Sequence, residues 1–348
     1  MKKSFLSKYL NLSRNELYFV IVFFIFVFSL LALTFYSPNY YSQKEPIVLD
    51  IEKGETFNSI VEKLYNKEVI PSKRNLKIAA FLVGAEKDIK AGRYEIPNGL
   101  SYIDLLSLLI KGKPRKQISV TIQEGIWQKD LAKLLHKKLG IDENEFLSLC
   151  KNKKFIKSLG LNVNNLEGYL LPETYFFYEG SSAKEVIKRL SDAMQRIFSN
   201  PEVKAIMQQR NLTQHKVLTM ASIIDGESNK VSEFRRIAGV YYNRLKKGWK
   251  LQADPTVQYV VRQRRKKVNK IYYKDLEIDS KYNTYKYYGL PPGPINNPGK
   301  EAIMAALYPE EHNYFYFVAN GNGGHNFSKS GREHQQQVNR YRNWRRNR

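Results

Sequence analysis

Apolar and polar positions alternate along the chain in three textures. Residues 17–37, LYFVIVFFIFVFSLLALTFYS, carry no charge, and about 20 apolar residues at ~1.5 Å each span a ~30 Å hydrocarbon layer. Lys2, Lys3, Lys8 and Arg14 precede the stretch. The pattern predicts a transmembrane helix with its N-terminus in the cytoplasm. A cleaved signal peptide is the competing reading, but the stretch exceeds the usual ~7–15 apolar residues, and Ser37-Pro-Asn-Tyr-Tyr-Ser42 lacks a small-residue cleavage pattern.

The second texture joins short extended runs to amphipathic ones. Residues 48–54 read as a strand and a glycine turn, followed by Phe57, Ile60, Val61 and Leu64 at helical spacing. Residues 120–125, followed by Leu131, Leu134 and Leu135, repeat the arrangement. Further helices are predicted near 75–83 and 102–111, and an extended run over 90–96. Generic α/β packing and a small carbohydrate-binding module both fit this half. Residues 137–165 read as a helical connector. From Leu166 on, loops rich in Gly, Pro, Asn and Tyr alternate with short apolar helices, an arrangement in which loops on a scaffold carry the site.

Composition narrows the picture. The 348 residues are 43% hydrophobic and 13% aromatic, enough for a packed core. Cys150 has no partner for a disulfide, and His136, His215, His312, His325 and His334 show no metal-ligand spacing. Neither a metal nor a cofactor is expected. Lys and Arg outnumber the acids by 57 − 33, giving +24, which suits either nucleic acid or an anionic surface. The run Arg262-Gln-Arg-Arg-Lys-Lys267 reads as a solvated loop. A membrane anchor that leaves the body outside the cytoplasm speaks against nucleic acid.

Candidate chemistry concentrates in residues 216–228. Val217, Met220, Ala221 and Ile224 form a helical apolar stripe whose next step reaches Glu227. An unpaired carboxyl at the end of a buried stripe is desolvated and holds its proton nearer neutral pH, as a general acid requires. Pairing with Arg235 or Arg236 is the equal alternative. Asp225 stands about 200° away around a helix, so the two carboxyls diverge rather than flank one bond. One acid–base Glu without a carboxylate nucleophile is therefore favoured. Downstream, Leu251-Gln-Ala-Asp-Pro-Thr-Val257, Tyr282-Asn-Thr-Tyr285 and Gly289-Leu-Pro-Pro-Gly-Pro294 place amides and rings on stiff loops. These groups suit sugar hydroxyls and pyranose faces; each is equally a turn residue satisfied by backbone. Gly321-Asn-Gly-Gly324 lacks the Lys of a phosphate loop and reads as a hairpin turn after the apolar run 314–319. His325 and His334 could orient another group, although a lone His in an aromatic strand region is more often structural.

These stretches, with Leu166-Glu-Gly-Tyr-Leu-Leu-Pro-Glu-Thr-Tyr175, Asn243-Arg-Leu245, Tyr316-Phe-Val318 and Gly324-His-Asn-Phe327 in this order, resemble the MltG-type (YceG-like) endolytic murein transglycosylases. The resemblance runs over roughly residues 45–335. It implies an α+β chain: a cytoplasmic tail (1–16), a transmembrane anchor (17–37), a LysM-like α/β subdomain (46–115), a connecting strand–helix region (116–165), a mixed α/β catalytic domain (166–335) and a basic tail (336–348). The second acid of the family's Glu-x-Glu pattern falls on Glu227; the first falls on Asp225 and the middle residue on Gly226, both departures. Glu227 would protonate the oxygen between N-acetylmuramic acid and N-acetylglucosamine. It would then take the proton of the muramoyl 6-hydroxyl as that group attacks C1, leaving a 1,6-anhydro end. Glu167, Tyr169, Gln252, Asp254, Asn283 and Tyr285 would contact the glycan. Implied partners are peptidoglycan strands, the cytoplasmic membrane and peptidoglycan synthases, with no nucleic acid, in an enzyme that ends nascent strands. A peptidoglycan-binding scaffold without catalysis is the alternative, motivated by Asp225-Gly226; a tethered nucleic-acid binder rests on charge alone.

Overall fold

The computed structural model describes residues 13–43, 45–112, 114–264 and 270–346. The chain is a mixed α/β structure with one apolar helix near its start, and it divides after Gln117 into two compact units. Most of the proposed cytoplasmic tail, residues 1–12, lies outside the described residues.

In the first unit, helix α1 (Arg14–Tyr36) opens with a capping box, in which Ser13 N–H donates to the Glu16 carboxylate and Glu16 N–H to Ser13 Oγ. Of its residues only Phe35 is buried, and it is long and apolar enough to cross a membrane. Strand β1 (Ile47–Ile51) pairs antiparallel with β2 (Gly92–Ile96) in the register Ile47↔Ile96 to Ile51↔Gly92. Ile47, Leu49, Ile51, Tyr94 and Ile96 turn to one face and are buried. Helices α2 (Phe57–Asn66), α3 (Lys73–Val83) and α4 (Tyr102–Lys111) cover that face with Ile60, Val61, Leu64, Leu76, Leu105 and Leu109. The predicted elements over 48–54, 75–83, 90–96 and 102–111 correspond to these, shifted by a few residues at most.

The second unit begins at the second residue of β3 (Gln117–Thr121), which pairs with β4 (Thr174–Tyr178). Helices α5 (Gln128–Leu139), α6 (Glu143–Leu149) and α7 (Lys153–Ser158) lie between them in sequence. The connecting region 116–165 contributes Leu131, Leu135, Phe146, Cys150 and Ile156 to the unit's own core, with Cys150 fully buried. The apparent repeat of the sequence is thus split between two sheets. Then follow α8 (Ala183–Ser199), α9 (Pro201–Gln209), α10 (Gln214–Glu227), α11 (Phe234–Lys246), α12 (Asp254–Arg264), the short α13 (Tyr273–Leu276) and α14 (Lys300–Leu307). The hairpin β5 (Tyr316–Ala319) and β6 (His325–Ser328) and helix α15 (Gly331–Arg346) close the chain.

Helix α10 is the axis of this unit. Residues 217–224 are all buried, not one stripe of them, because α11, α12 and α14 pack around it. Each large apolar side chain so enclosed stabilises by roughly 1.5–3 kcal/mol. Ser222 is tolerated there because its hydroxyl donates to Thr219 O and accepts Ile295 N–H, at 2.8 and 3.0 Å. The basic run differs from the solvated loop expected of it. Arg262 and Arg264 end α12, with Arg262 paired to Asp130 and lying 3.8 Å over the Trp127 ring; residues 265–267 of the run lie outside the described residues. The basic C-terminal stretch is the helix α15 up to Arg346, packed on β5 and β6.

Candidate active site

Glu227 is the last residue of α10, where the helix leaves the core, and it is half-buried. Its carboxylate Oε1 accepts from the Tyr241 hydroxyl at 2.5 Å. Tyr241 is carried by α11 as the next member of the apolar series Phe234, Ile237, Ala238. The two arginines that could have paired with Glu227 are engaged elsewhere: Arg236 with Glu310 at 2.9 Å, Arg235 with Tyr308 O at 2.6 Å. Burial pushes Glu227 up to about 7; the Tyr241 hydrogen bond opposes this, Asp254 adds to it and Arg244 opposes it. The proton is thus held close to neutrality without a salt bridge.

Glu227 lines a cavity of about 460 Å³ together with Tyr241, Arg244, Gln252, Asp254, Tyr285, Tyr316, His325 and His334. The loops at 251–256 and 283–285 are clamped to each other. Gln252 N–H donates to Thr284 O at 3.1 Å, Ala253 N–H to Thr284 Oγ1 at 2.9 Å, and Thr256 Oγ1 meets Thr284 Oγ1 at 2.9 Å. The clamp brings Gln252, Asp254 and Tyr285 to one wall, where the Tyr285 hydroxyl donates to Asp254 at 2.6 Å. Gln252 has φ +49°, in the left-handed region that side chains rarely adopt. Arg244, 8% exposed, donates from Nε to Phe315 O at 2.8 Å and from Nη1 to Leu251 O, tying α11 to the strand and to the loop.

The other predicted contacts lie elsewhere. Asn283 is fully buried; its amide nitrogen donates to Leu276 O and Ile278 O, both at 2.8 Å, and its Oδ1 accepts Tyr285 N–H at 3.0 Å, so it shapes the loop that presents Tyr285. Tyr169 is 3% exposed and its hydroxyl meets His215 Nδ1 at 2.7 Å. Because His215 Nε2 faces the carbonyl of Pro292 at 2.7 Å, Nε2 donates and Nδ1 accepts from Tyr169. Glu167 lines two further cavities, of about 390 and 340 Å³, with Asn165 and Tyr259. Gln128 N–H donates to its Oε1 at 2.9 Å, and burial outweighs that bond and lifts the carboxyl to about 8. Its loop is fixed by Gly168, at φ +84°, where a Cβ would lie 2.2 Å from Pro294 Cβ. Asn297 completes the joint, accepting Gly168 N–H and Leu170 N–H and donating to Ile126 O.

Asp225 does not line the Glu227 cavity. One of its oxygens is buried without a hydrogen bond, and burial with Glu124 nearby raises it to about 7. Among the described residues no three His, Cys, Asp or Glu converge as a metal site requires. Sequence reasoning gave Tyr241 and Arg244 no role, and His325 and His334, which it favoured as structural, also line the cavity. For Tyr241 a signal existed, since it extends an apolar stripe just as Glu227 does.

Comparison with known proteins decides the family. The sequence pattern of the YceG-like family matches residues 49–340. The chain belongs to that family. A Bacillus subtilis protein named endolytic murein transglycosylase is 32% identical, the alignment covering 86% of this chain and 85% of that protein. A protein of the same name from Streptococcus pneumoniae is 30% identical over 67% of this chain and 47% of its own length. The crystal structure of a YceG-like protein of Listeria monocytogenes is similar at a TM-score of 0.58 and 33% identity, covering 84% of this chain and 99% of that one.

Proposed function

We propose that the chain is an endolytic murein transglycosylase that cuts peptidoglycan between N-acetylmuramic acid and N-acetylglucosamine. The observation that carries this is the Glu227 carboxyl, held by Tyr241 at the floor of a polar and aromatic cavity, with its proton affinity raised by burial to about 7. The relatives named for this activity support it. Protonated Glu227 donates to the glycosidic oxygen; the C1–O bond breaks through an oxocarbenium-like state. The muramoyl 6-hydroxyl then closes on C1, giving a 1,6-anhydro end, and its proton restores Glu227. An internal nucleophile at high effective molarity needs no second carboxylate. Gln252, Asp254 and Tyr285 line the groove beside the acid, and the cavities at Glu167 hold sugars further along the strand. Tyr169 and Asn283 support this groove from behind.

Helix α1 anchors the enzyme in the cytoplasmic membrane, with the N-terminus inside and the body outside. Residues 46–115 act as the LysM-like glycan-holding module, which a separate two-strand, three-helix unit supports. So placed, the enzyme works beside the peptidoglycan synthases and ends nascent strands. Incubating isolated peptidoglycan with the full chain in detergent, beside Glu227→Gln, tests the reading by mass spectrometry of the ends. Internal cuts with 1,6-anhydromuramoyl ends are expected from the native chain, and the substituted chain should fall by at least ~100-fold. Ordinary reducing ends would make it a hydrolase. A folded chain that pellets with the wall and leaves it uncut would make it a scaffold.

A further inference from the structure

Glu227 is not the only proton-transfer group facing the cavity. His325 opens β6, and its Nδ1 lies 2.7 Å from Glu233 Oε2 while its backbone N–H donates to Glu233 Oε1 at 3.0 Å. Glu233 is 8% exposed and sits in the turn at 231–233, directly after the acid's helix. A carboxylate only accepts, so Nδ1 carries the hydrogen, and in the neutral ring Nε2 then holds the lone pair. Phe317 and Phe327 meet the ring in T-shaped contacts, with centroids 5.3 and 6.4 Å away, and hold its plane. No described residue bonds Nε2. His325 and Glu227 together line both the 460 Å³ cavity and an adjoining one of about 330 Å³. A base oriented by a third group and facing the same space as an acid is the arrangement of a catalytic pair.

We propose that His325, oriented by Glu233, is the base that receives the proton of the muramoyl 6-hydroxyl. This rests on the transglycosylase reading above and divides its proton transfers between two residues. As Glu227 gives its proton to the leaving oxygen and the C1–O bond breaks, the 6-oxygen bonds C1 and its proton passes to Nε2. The imidazolium then loses that proton through solvent to the Glu227 carboxylate, and both residues return to their starting forms. Stabilisation of the transient imidazolium falls to Glu233. Lys230 of the preceding turn lies beside Gly324, and the other charged or titratable groups lining the two cavities with His325 are Glu227 from α10, Tyr241 and Arg244 from α11, Asp254 from α12, Tyr285, Tyr316 from β5, and His334 and Tyr341 from α15.

The two divisions of labour give different pH profiles. If Glu227 alone serves, kcat needs only the protonated carboxyl and falls on the alkaline side. With His325 as acceptor, kcat also requires a free base and so falls on the acid side as well. The test is kcat and KM of the detergent-solubilised full chain on soluble glycan strands from pH 4.5 to 9, native beside His325→Gln. A two-sided native profile is expected. In His325→Gln, kcat should drop about 100-fold with KM nearly unchanged, and the acid-side fall should vanish. A native profile with no acid-side fall overturns the proposal without any substitution, so a variant that fails to fold leaves it testable. A His325→Gln chain within threefold of native, or one that keeps the acid-side fall, overturns it as well. If the native chain makes no anhydro ends at any pH, the transglycosylase reading itself fails; if it makes them without an acid-side fall, only the role of His325 fails.

Discussion

The Tyr241 hydroxyl, 2.5 Å from Glu227 Oε1, favours the carboxylate over the acid, whereas burial favours the acid. A hydrogen bond to a charged group contributes about 1.5–3 kcal/mol, and one pKa unit corresponds to about 1.4 kcal/mol. Tyr241→Phe removes the opposing bond and leaves burial in place. The alkaline fall of the pH–rate profile should therefore move up by about one pH unit, measurable as anhydro-end formation against pH. An unmoved or lowered alkaline fall would show that Tyr241 does not set the proton affinity of Glu227. At this scale the sequence was partly legible. An apolar stripe running into a carboxylate marks Glu227, because desolvation follows from where a helix points. Glu167 and Tyr169 stand two residues apart, yet one lines a cavity and the other turns inward to His215. Adjacency in a loop does not set which way a side chain faces; the φ of Gly168 and the hold of Asn297 do.

Helices and hairpins follow local pattern, and so α4 stands at the predicted residues and the glycine run at 321–324 joins β5 to β6. The pairing of β3 with β4 was beyond that pattern, since it joins residues more than fifty positions apart across three helices. Such long-range contacts are chosen by the packed core, not by periodicity. Arg244 shows how elements of this unit are locked. Its guanidinium reaches a carbonyl ahead of β5 and another ahead of α12, and it lies 5.8 Å from the Tyr241 and Tyr316 rings. A lysine is a point charge and cannot fork between the two carbonyls. Arg244→Lys should cost about 2–3 kcal/mol, read as a melting temperature lower by about 5–10 °C. Activity should fall too, because Gln252 follows Leu251 directly. A melting temperature within ~1 °C of native would refute the locking role.

Taken whole, the second unit carries three carboxyls whose proton affinity is raised by burial. Glu167 lies at about 8, and Glu227 and Asp225 at about 7, all raised by burial above an ordinary value near ~4. Between the two values the folded chain holds protons that the unfolded chain has released. Their contribution to stability is full below pH ~4, declines as pH rises through 7–8, and is flat above that. Glu167→Gln keeps an acceptor for Gln128 N–H without titrating, so its melting temperature should decline less than native between pH 5 and 8. An identical slope would exclude Glu167 as a contributor. The two units also have separate cores, so residues 118–348 alone should melt in one cooperative step by circular dichroism; a gradual loss of signal would show that they depend on the first unit. The net charge of +24 comes from 57 basic against 33 acidic residues, which suits a polymer bearing carboxylates.

Cys150, the chain's single thiol, is fully shielded in the second unit, and burial raises its pKa far above the ordinary thiol range. Thiol reagents act on the thiolate and need access, so the folded chain is chemically silent toward them. Cysteines introduced on the surface can carry a fluorophore or spin label without first removing the native one. The same silence makes Cys150 a clock: the rate at which a reagent eventually finds it reports how often this unit opens.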